Sequence, residues 1–333
     1  MGKIYFATIE DVDDIMQFIN NHWKNDHILS RNKNFFLYEH QDGERVNFVC
    51  HRDCNNELDG ILGFIKSSST NSDIWTVIWQ ALSSKEHPML GIELFDFLRK
   101  SEDYNVLSSP GANEKAINIF KYFGIYTNHL NNFVLINNKI SNYNIATIRD
   151  KRYLKTIRFK ENKKYNLKLL KEKEILFDFE AFKEFIPYKD KKYFLKRYFN
   201  HPIYNYDVYG IFNNSEIDSL LVTRVIKANT SKVLSIVDFI GNQYGFQFVS
   251  KYLYDKIIID GYEYINFMCF GFDERILMEA GFHKVSSDLS DIIIPIHFSP
   301  FVDKNIQINF FIDTDKLEKV RMFQADGDQD RPC

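Results

Sequence analysis

Two ionisable side chains stand in sequence contexts that suit proton transfer. Asp238 lies within the apolar stretch 234–240, where an unpaired carboxylate would be costly to bury. His201 precedes a proline, and an imidazole titrates near neutral pH. We predict Asp238 as the first candidate for a catalytic base and His201 as the second. The alternatives are an ion pair of Asp238 with Arg224 or Arg197, a surface position at a strand end, and a turn role for His201.

The cysteines argue against a disulfide or metal framework. Four cysteines are few for a disulfide scaffold in a chain of 333 residues. Cys50, His51 and Cys54 resemble half of a zinc site, but no second Cys or His pair stands at a spacing that completes a tetrahedron. We predict free thiols, no metal and a cytoplasmic location.

Length and charge bound the class of protein. A chain of 333 residues that is 45% hydrophobic suits two folded domains. Its 42 Lys and Arg against 45 Asp and Glu give a net charge of -3, which creates no field that gathers nucleic acid or an anionic membrane. The N-terminal residues lack the features of a signal peptide, and no apolar stretch is long enough to cross a bilayer. We expect no nucleic-acid or membrane partner, and the oligomeric state stays open.

The hydrophobic periods of the first half predict alternating strands and helices. The predicted strands are 3–8, 46–50, 60–65, 75–82, 105–108 and 133–136, and the predicted helices are 9–22, 91–98 and 114–123. The strand at 133–136 closes this series.

The second half repeats a similar order, which indicates a duplicated architecture. The predicted strands are 165–170, 206–212, 219–227, 232–240, 264–269 and 292–298, and the predicted helices are 179–185, 191–198, 247–259 and 273–280. We predict an N-terminal domain at 1–140, a linker rich in Asn, Lys and Arg at 141–164, and a C-terminal domain at 165–333.

The helix predicted at 114–123 carries a recognisable pattern. Residues Asn113, Ala116, Ile119, Phe120, Gly124 and Ile125 resemble Asn-x-x-Ala-x-x-Leu-Tyr-x-x-x-Gly-Phe, which is typical of the final helix of the GNAT superfamily. With the element order, this makes the chain similar to two GNAT domains in tandem. The resemblance implies an α/β (α+β) fold in which each domain is a mixed, mostly antiparallel sheet flanked by helices. It also implies an enzyme that transfers an acyl group from acyl-CoA to an amine.

The resemblance implies coenzyme A as the co-substrate, bound to the first domain. The family's pyrophosphate loop reads Gln/Arg-x-x-Gly-x-Gly/Ala before a helix, and Glu86, Met89 and Gly91 stand in those places, so only the last glycine agrees. A simple helix entry is the alternative. The residues implied for CoA binding are Gln80, Leu82, Met89, Leu90, Gly91, Ile92, Asn113 and Tyr122.

The resemblance also implies how the thioester reacts. Backbone amides of the strand at 75–82 would face its carbonyl, and no covalent nucleophile is required. The tyrosine that usually protonates the thiolate is replaced by Phe120 in the first domain and Leu277 in the second. Water or another side chain must then supply this proton, or the first domain is only a CoA platform.

A narrower resemblance lies in the second half. It is carried by the motifs Arg197-Tyr198-x-x-His201-Pro202, Val237-Asp238-Phe239-Ile240-Gly241, Pro295-x-x-Phe298-x-Pro300-Phe301 with Asn305, and the tail 326–332. They resemble tandem GNAT proteins of bacterial amino-sugar and surface-polysaccharide pathways. The implied acceptor is a nucleotide-linked amino sugar, a deoxythymidine-diphosphate 3-amino-3,6-dideoxyhexose, and the acyl group is acetyl or 3-hydroxybutanoyl. The predicted acceptor-binding residues are Arg197, Tyr244, Phe301, Asn305, Asp328, Gln329 and Arg331.

Two rival functions remain at this stage. A catalytically inactive GNAT pair could act as a sensor or assembly partner, and the phenylalanine at position 120 is its best argument. A transferase that uses aminoacyl-tRNA would have to bind RNA, and the net charge of -3 gives that function little support.

Overall fold

The computed structural model describes residues 2–70, 72–82, 85 and 87–331. The strands are β1 (Lys3–Thr8), β2 (Gln41–Asp42), β3 (Arg45–Arg52), β4 (Leu58–Lys66), β5 (Ile74–Ala81), β6 (Leu107–Pro110), β7 (Tyr126–His129), β8 (Asn131–Ile136), β9 (Thr147–Ile148), β10 (Tyr165–Leu169), β11 (Asp207–Asn213), β12 (Glu216–Ala228), β13 (Ser231–Gly241), β14 (Tyr264–Phe270), β15 (His283–Val285), β16 (Ile292–Ile293), β17 (Asn309–Asp313) and β18 (Met322–Phe323). The helices are α1 (Val12–Phe18), α2 (Ile28–Arg31), α3 (Lys33–His40), α4 (Leu90–Ser101), α5 (Glu114–Tyr122), α6 (Lys191–Tyr198), α7 (Phe246–Asp260) and α8 (Glu274–Glu279).

Two large sheets organise the chain. The first has the order β1-β3-β4-β5-β6-β17-β7, with β2 beside β3, and the second has the order β10-β11-β12-β13-β14-β8-β15, with β18 beside β14. In each sheet a single pair of neighbours is parallel among the described strands, β5 with β6 and β13 with β14. The predicted class, mixed and mostly antiparallel sheets flanked by helices, is therefore confirmed.

Helices cover both faces of the first sheet because each presents an apolar side. Val12, Ile15 and Phe18 of α1 are buried against strand residues such as Phe48. On the other face, Leu94 of α4 packs with the residues of β4 and β5. Burial of such side chains, at roughly 25 cal/mol per Å² of apolar surface, holds the layers together.

The two sheets exchange strands. Strand β8, which the sequence predicts as the close of the first series, pairs with β14 and β15 in the second sheet. Strand β17, from near the C-terminus, lies between β6 and β7 in the first sheet. The prediction of β8 as a strand is confirmed, whereas its place in the first series is wrong. Its apolar residues Phe133, Val134 and Leu135 are fully buried in the second sheet.

The segment predicted as a linker is held against the second sheet. The buried carboxylate of Glu263 accepts hydrogen bonds from the backbone N–H groups of residues 144, 145 and 146 at 2.7–3.1 Å. Strand β9 in the same segment pairs with β16. Whether the boundaries at 140 and 164 separate folding units stays a prediction.

Two predicted elements form only over a small part of their predicted length. The helix predicted at 179–185 is reduced to a single 3-10 turn, Glu180–Phe182, that precedes a proline. Of the strand predicted at 292–298, only Ile292–Ile293 forms a strand, and Phe298 makes an isolated bridge with Phe301. Pro295 lies between them and has no backbone donor. Within the described part of the chain, no helix is both long enough and apolar enough to cross a membrane.

Candidate active site

A cleft opens in the first sheet where its two parallel strands separate. Strands β5 and β6 pair at two positions, Ile74 with Leu107 and Trp75 with Ser108, while β5 continues to Ala81. Beyond Trp75 the backbone ladder between the two strands ends, although Ser109 Oγ still donates a hydrogen bond to the carbonyl of Thr76. Such a division between parallel strands leaves backbone groups of β5 directed into the gap.

A β-bulge lies at the same point of β5. The pairing with β4 joins Leu62 to Trp79 and Phe64 to Thr76, so Val77 and Ile78 stand opposite Gly63 together. Bulges disrupt the ladder locally and re-aim backbone groups, and they are frequent beside active sites. Both residues of the bulge, Val77 and Ile78, line the cavity described next.

The cleft leads into a cavity of about 600 Å³ between the two sheets. Its wall combines β5, the turn after β6, strand β12, the loop 296–300 and the C-terminal tail. The polar and aromatic lining residues are Trp23, Lys24, His27, Trp79, Ser109, Asn113, Arg224, Lys227, His297, Phe298, Ser299, Phe311, Gln324, Asp328, Gln329, Asp330 and Arg331. The volume lies within the range of small-molecule sites, and both halves of the chain contribute to it.

The corresponding cleft of the second sheet is filled by the chain itself. Strands β13 and β14 pair over three positions and then separate, as β5 and β6 do. Strand β18 occupies this gap: Phe323 stacks on Phe267 with 5.7 Å between ring centroids, and the Ala325 amide donates to the carbonyl of Val237 at the bulge of β13. The two sheets therefore share one plan but differ in what fills the cleft.

Buried ion pairs fix the tail on both sides of residue 328. Asp326 lies 2.6 Å from Lys189, and burial together with the nearby Asp238 raises the pKa of Asp326 to about 6 although Lys189 opposes the shift. Asp330 lies 2.5 Å from Arg197 and accepts a hydrogen bond from the hydroxyl of Tyr206. Asp326, Arg197 and Asp330 are all buried. The segment 326–331, which we call the tail, is therefore packed against Lys189 and helix α6. We call this region the junction.

Asp238 sits in this junction and not in the cavity wall. Its side chain is fully buried, with Lys189 Nζ 2.5 Å from Oδ1 and the hydroxyl of Tyr198 2.5 Å from Oδ2. The Phe239 amide also donates to Oδ1. The predicted partners Arg224 and Arg197 are not the ones observed: Lys189 forms the ion pair with Asp238, and Arg197 pairs with Asp330. The catalytic role of Asp238 stays a prediction.

His201 is also enclosed. Its Nδ1 accepts hydrogen bonds from the amides of Ile203 and Tyr204, so its proton is on Nε2, which lies 3.5 Å from Glu39 Oε1. Burial lowers the pKa of His201 although Glu39 opposes this. Glu39 in turn lies 2.6 Å from Arg331. The histidine lies outside the cavity wall, and its catalytic role stays a prediction.

The residues predicted for CoA are dispersed. Only Asn113 lines the cavity, where it caps α5 by accepting from the Ala116 amide. Gly91 adjoins the wall, since its carbonyl accepts from Trp79 Nε1 at 3.1 Å, whereas Leu90 is core. The remaining positions, Gln80, Leu82, Met89, Ile92 and Tyr122, lie outside the wall, and the Leu82 amide is bonded to Asp59. Glu86 lies outside the described residues.

The residues predicted for the acceptor divide into two groups. Asp328, Gln329 and Arg331 line the cavity. The remaining four contact other parts of the chain. Arg197 is paired with Asp330, Tyr244 packs on Phe248, and Phe301 lies near Phe298. Asn305 forms hydrogen bonds with the backbone of Leu289, Ile292 and Ile294. Asn305 thus has a structural role in the loop, because each of its three bonds goes to the chain itself.

Several residues that line the cavity were not predicted from the sequence. His27 is buried, with Nδ1 accepting from the Leu29 amide, and burial lowers its pKa although Asp328 opposes the shift. Trp23 and Lys24 end the π-helical turn Ile19–Trp23 that continues α1, and Arg224 lies within β12. No local pattern marks these positions, because tertiary packing brings them together. Within the described ranges, no group of three potential metal ligands is arranged to hold an ion.

Comparison with known proteins gives the fold. No protein-family model matches the sequence, and no curated protein matches it. Among solved structures, a protein from Pyrococcus horikoshii assigned as an acetyltransferase superposes with a TM-score of 0.51 at 10% identity, covering 96% of this chain and 91% of that one. A GCN5-related N-acetyltransferase from Anabaena variabilis gives 0.53 at 8% identity, covering 94% and 72%. A protein of unknown function from Enterococcus faecalis, described as an N-acyltransferase, gives 0.52 at 6% identity, covering 80% and 64%. Over nearly its whole length, the chain has the fold of the GNAT N-acetyltransferases.

Proposed function

We propose that this protein is an N-acyltransferase that binds one acyl-CoA in the cleft between β5 and β6. The observation that carries the proposal is the contrast between the two clefts: the first opens into the 600 Å³ cavity, whereas Phe323 and Ala325 fill the second. We assign the bulge residues Val77 and Ile78, which line this cavity, as the source of backbone donors for the thioester carbonyl, whose oxygen becomes negative during attack. The start of α4 adjoins the cavity through Trp79, and a helix N-terminus suits the pyrophosphate.

We further propose that the acceptor is a nucleotide-linked amino sugar, such as a thymidine-diphosphate 3-amino-3,6-dideoxyhexose. The charges of the cavity support this choice. Lys227 and Arg224 place cations at the wall for phosphate oxygens, although one guanidinium nitrogen of Arg224 already donates to the carbonyl of Asp330. Asp328 places an anion there for an ammonium group. A ligand that carries both a diphosphate and an amine suits this combination. Trp23 and Trp79 provide aromatic surface for a base.

The reaction needs four changes at the reacting atoms. The ammonium of the acceptor loses a proton, and its nitrogen attacks the thioester carbonyl carbon to form the C–N bond. The tetrahedral intermediate then breaks the C–S bond. The departing thiolate takes the second proton of the nitrogen, and one proton passes to solvent.

Isothermal titration calorimetry tests whether the cleft binds CoA. We expect acetyl-CoA to bind with a stoichiometry of one, and Ala116→Trp, which fills the cavity wall, to weaken binding about 100-fold, an estimate based on the loss of a buried contact surface. Ala181→Trp is the matched control, because Ala181 is exposed and outside the wall. Absence of binding to the unaltered protein, or a stoichiometry of two, would overturn the proposal.

Turnover separates the enzyme from an inactive binding protein. Release of the CoA thiol on addition of the thymidine-diphosphate amino sugar to acetyl-CoA or 3-hydroxybutanoyl-CoA is the expected result. Binding of CoA without thiol release, over a panel of such sugars, would favour the inactive tandem protein.

A further inference from the structure

The cavity contains few carboxylates, and their surroundings differ. Of the described residues that line it, Asp328 and Asp330 carry carboxyl groups. Asp330 is buried and bonded to Arg197 and Tyr206. Asp328 is half-buried and forms no salt bridge with any residue that the structure describes. Its Oδ1 accepts one hydrogen bond, from Gln329 Nε2 at 2.7 Å.

The position of Asp328 is determined by the residues on either side of it. Asp326, two residues before, is tied to Lys189, and Asp330, two residues after, is tied to Arg197. Gly327 adopts a φ of 68°, and a Cβ at this position would lie 3.2 Å from Pro110 of β6. The carboxylate of Asp328 is thus held at the tip of a segment that is anchored on both sides.

We propose that Asp328 binds the ammonium group of the acceptor and accepts its proton before the nitrogen attacks the thioester. This inference rests on the proposed function and assigns a catalytic residue within it. The proton moves from nitrogen to the Asp328 carboxylate, the C–N bond forms, and the C–S bond breaks with proton transfer to the thiolate. Asp328 then returns its proton to solvent, which restores the carboxylate.

The same step through the two buried candidates would require existing contacts to break. Asp238 would have to leave Lys189 and Tyr198, and both of those groups are buried. His201 would have to release the two backbone amides that donate to its Nδ1. Asp328 needs neither change, because it already faces the cavity.

A binding experiment tests the ammonium contact without requiring turnover. Calorimetry at pH 7 compares a thymidine-diphosphate 3-amino-3,6-dideoxyhexose with the thymidine-diphosphate 6-deoxyhexose of the same configuration, which carries a hydroxyl group at C3. The unaltered protein is expected to prefer the amino sugar about ten-fold, the order of one partly enclosed charge pair. Asp328→Asn is expected to remove this preference while the hydroxy sugar binds as before. Asp315→Asn is the control, because Asp315 is exposed and outside the cavity wall.

Turnover then tests the proton transfer. We expect Asp328→Asn to lower kcat about 100-fold, the usual size of a general-base effect, with acetyl-CoA affinity unchanged. Asp328→Glu should restore part of this loss, since it keeps the carboxylate. Equal affinity of the unaltered protein for the two sugars, an unchanged preference in Asp328→Asn, or failure of both sugars to bind would each overturn the proposal. The acetyl-CoA titration is independent of these results, so failure of the CoA site itself is recognised separately.

Discussion

Lys189 and Asp238 form a salt bridge that is enclosed on all sides, with 2.5 Å between Nζ and Oδ1 and side-chain exposures of 3% and 0%. The pair joins the segment before α6 to the middle of β13. Because Asp326 binds the same ammonium group from the tail, one lysine connects three parts of the chain.

Asp238→Asn should therefore act through stability. Removing one partner of a buried pair leaves a charge that is poorly compensated, and we expect the free energy of unfolding to fall by about 3 kcal/mol. Urea denaturation measures this change, with the exposed Asp315→Asn as the reference. An Asp238→Asn protein of unaltered stability that has lost turnover would instead support the catalytic role predicted from the sequence.

The pair of Glu39 and Arg331 predicts a pH dependence of stability. Burial by itself raises the pKa of Glu39, but Arg331, His201 and Arg197 reverse this and hold the pKa well below its usual value. A carboxyl group with a lowered pKa in the folded state contributes stability that is present above its unfolded pKa and is lost as the pH falls through the folded pKa. We expect Arg331→Met to lower the free energy of unfolding by about 3 kcal/mol at pH 7. The difference in unfolding free energy between the unaltered protein and the variant should become smaller below about pH 4, because Glu39 becomes protonated.

The measurement is the unfolding free energy of both proteins between pH 3 and pH 7. Glu39→Gln combined with Arg331→Met is the control, because it removes the Glu39 carboxylate and keeps the other buried carboxylate near Arg331, that of Asp330. A loss of unfolding free energy in Arg331→Met that is the same at every pH would contradict the role of the Glu39–Arg331 pair.

A tyrosine at position 120, where the resembled GNAT pattern has one, should not raise the rate of the proposed acyl transfer. Phe120 is fully buried, and its ring centroid lies 3.7 Å from that of Phe311. A hydroxyl group added there would be buried without a partner, so we expect Phe120→Tyr to lower stability by about 1–3 kcal/mol without raising the rate of thiol release. Phe123→Tyr, at an exposed position just after the same helix, is the matched control. Faster thiol release by Phe120→Tyr than by the unaltered protein would contradict this expectation and would indicate that a hydroxyl group at this position reaches the thiolate.

The exchange of strands predicts how fragments of the chain behave. A fragment of residues 1–140 lacks β17 and exposes the apolar strand β8, whereas a fragment of residues 141–333 lacks β8 between β14 and β15. We expect neither fragment to unfold cooperatively by itself, and a mixture of the two to recover a single cooperative transition. Circular dichroism during thermal unfolding distinguishes these cases. Cooperative unfolding of the isolated first fragment would mean that β17 is dispensable.

The local elements follow from the sequence because their causes are local. The apolar period and the Asp190 cap define α6, and a short run of apolar residues within 3–8 defines β1; both have the predicted bounds. The duplicated plan is also visible in the sequence, since each half carries its own hydrophobic pattern. Asp328, Gln329 and Arg331 were predicted for the site through the resemblance of the tail, and they do line the cavity.

Tertiary structure decided what depends on distant partners. A strand's own residues determine that it is extended, but not which sheet provides the open edge, so the placement of β8 and β17 was not predictable. In the same way, the apolar context of Asp238 indicated a buried carboxylate, whereas Lys189 and Tyr198 became its partners only through packing. Whether a cleft between parallel strands holds a cavity or Phe323 depends on where the C-terminal segment folds back, and that is decided by contacts between residues far apart in the chain.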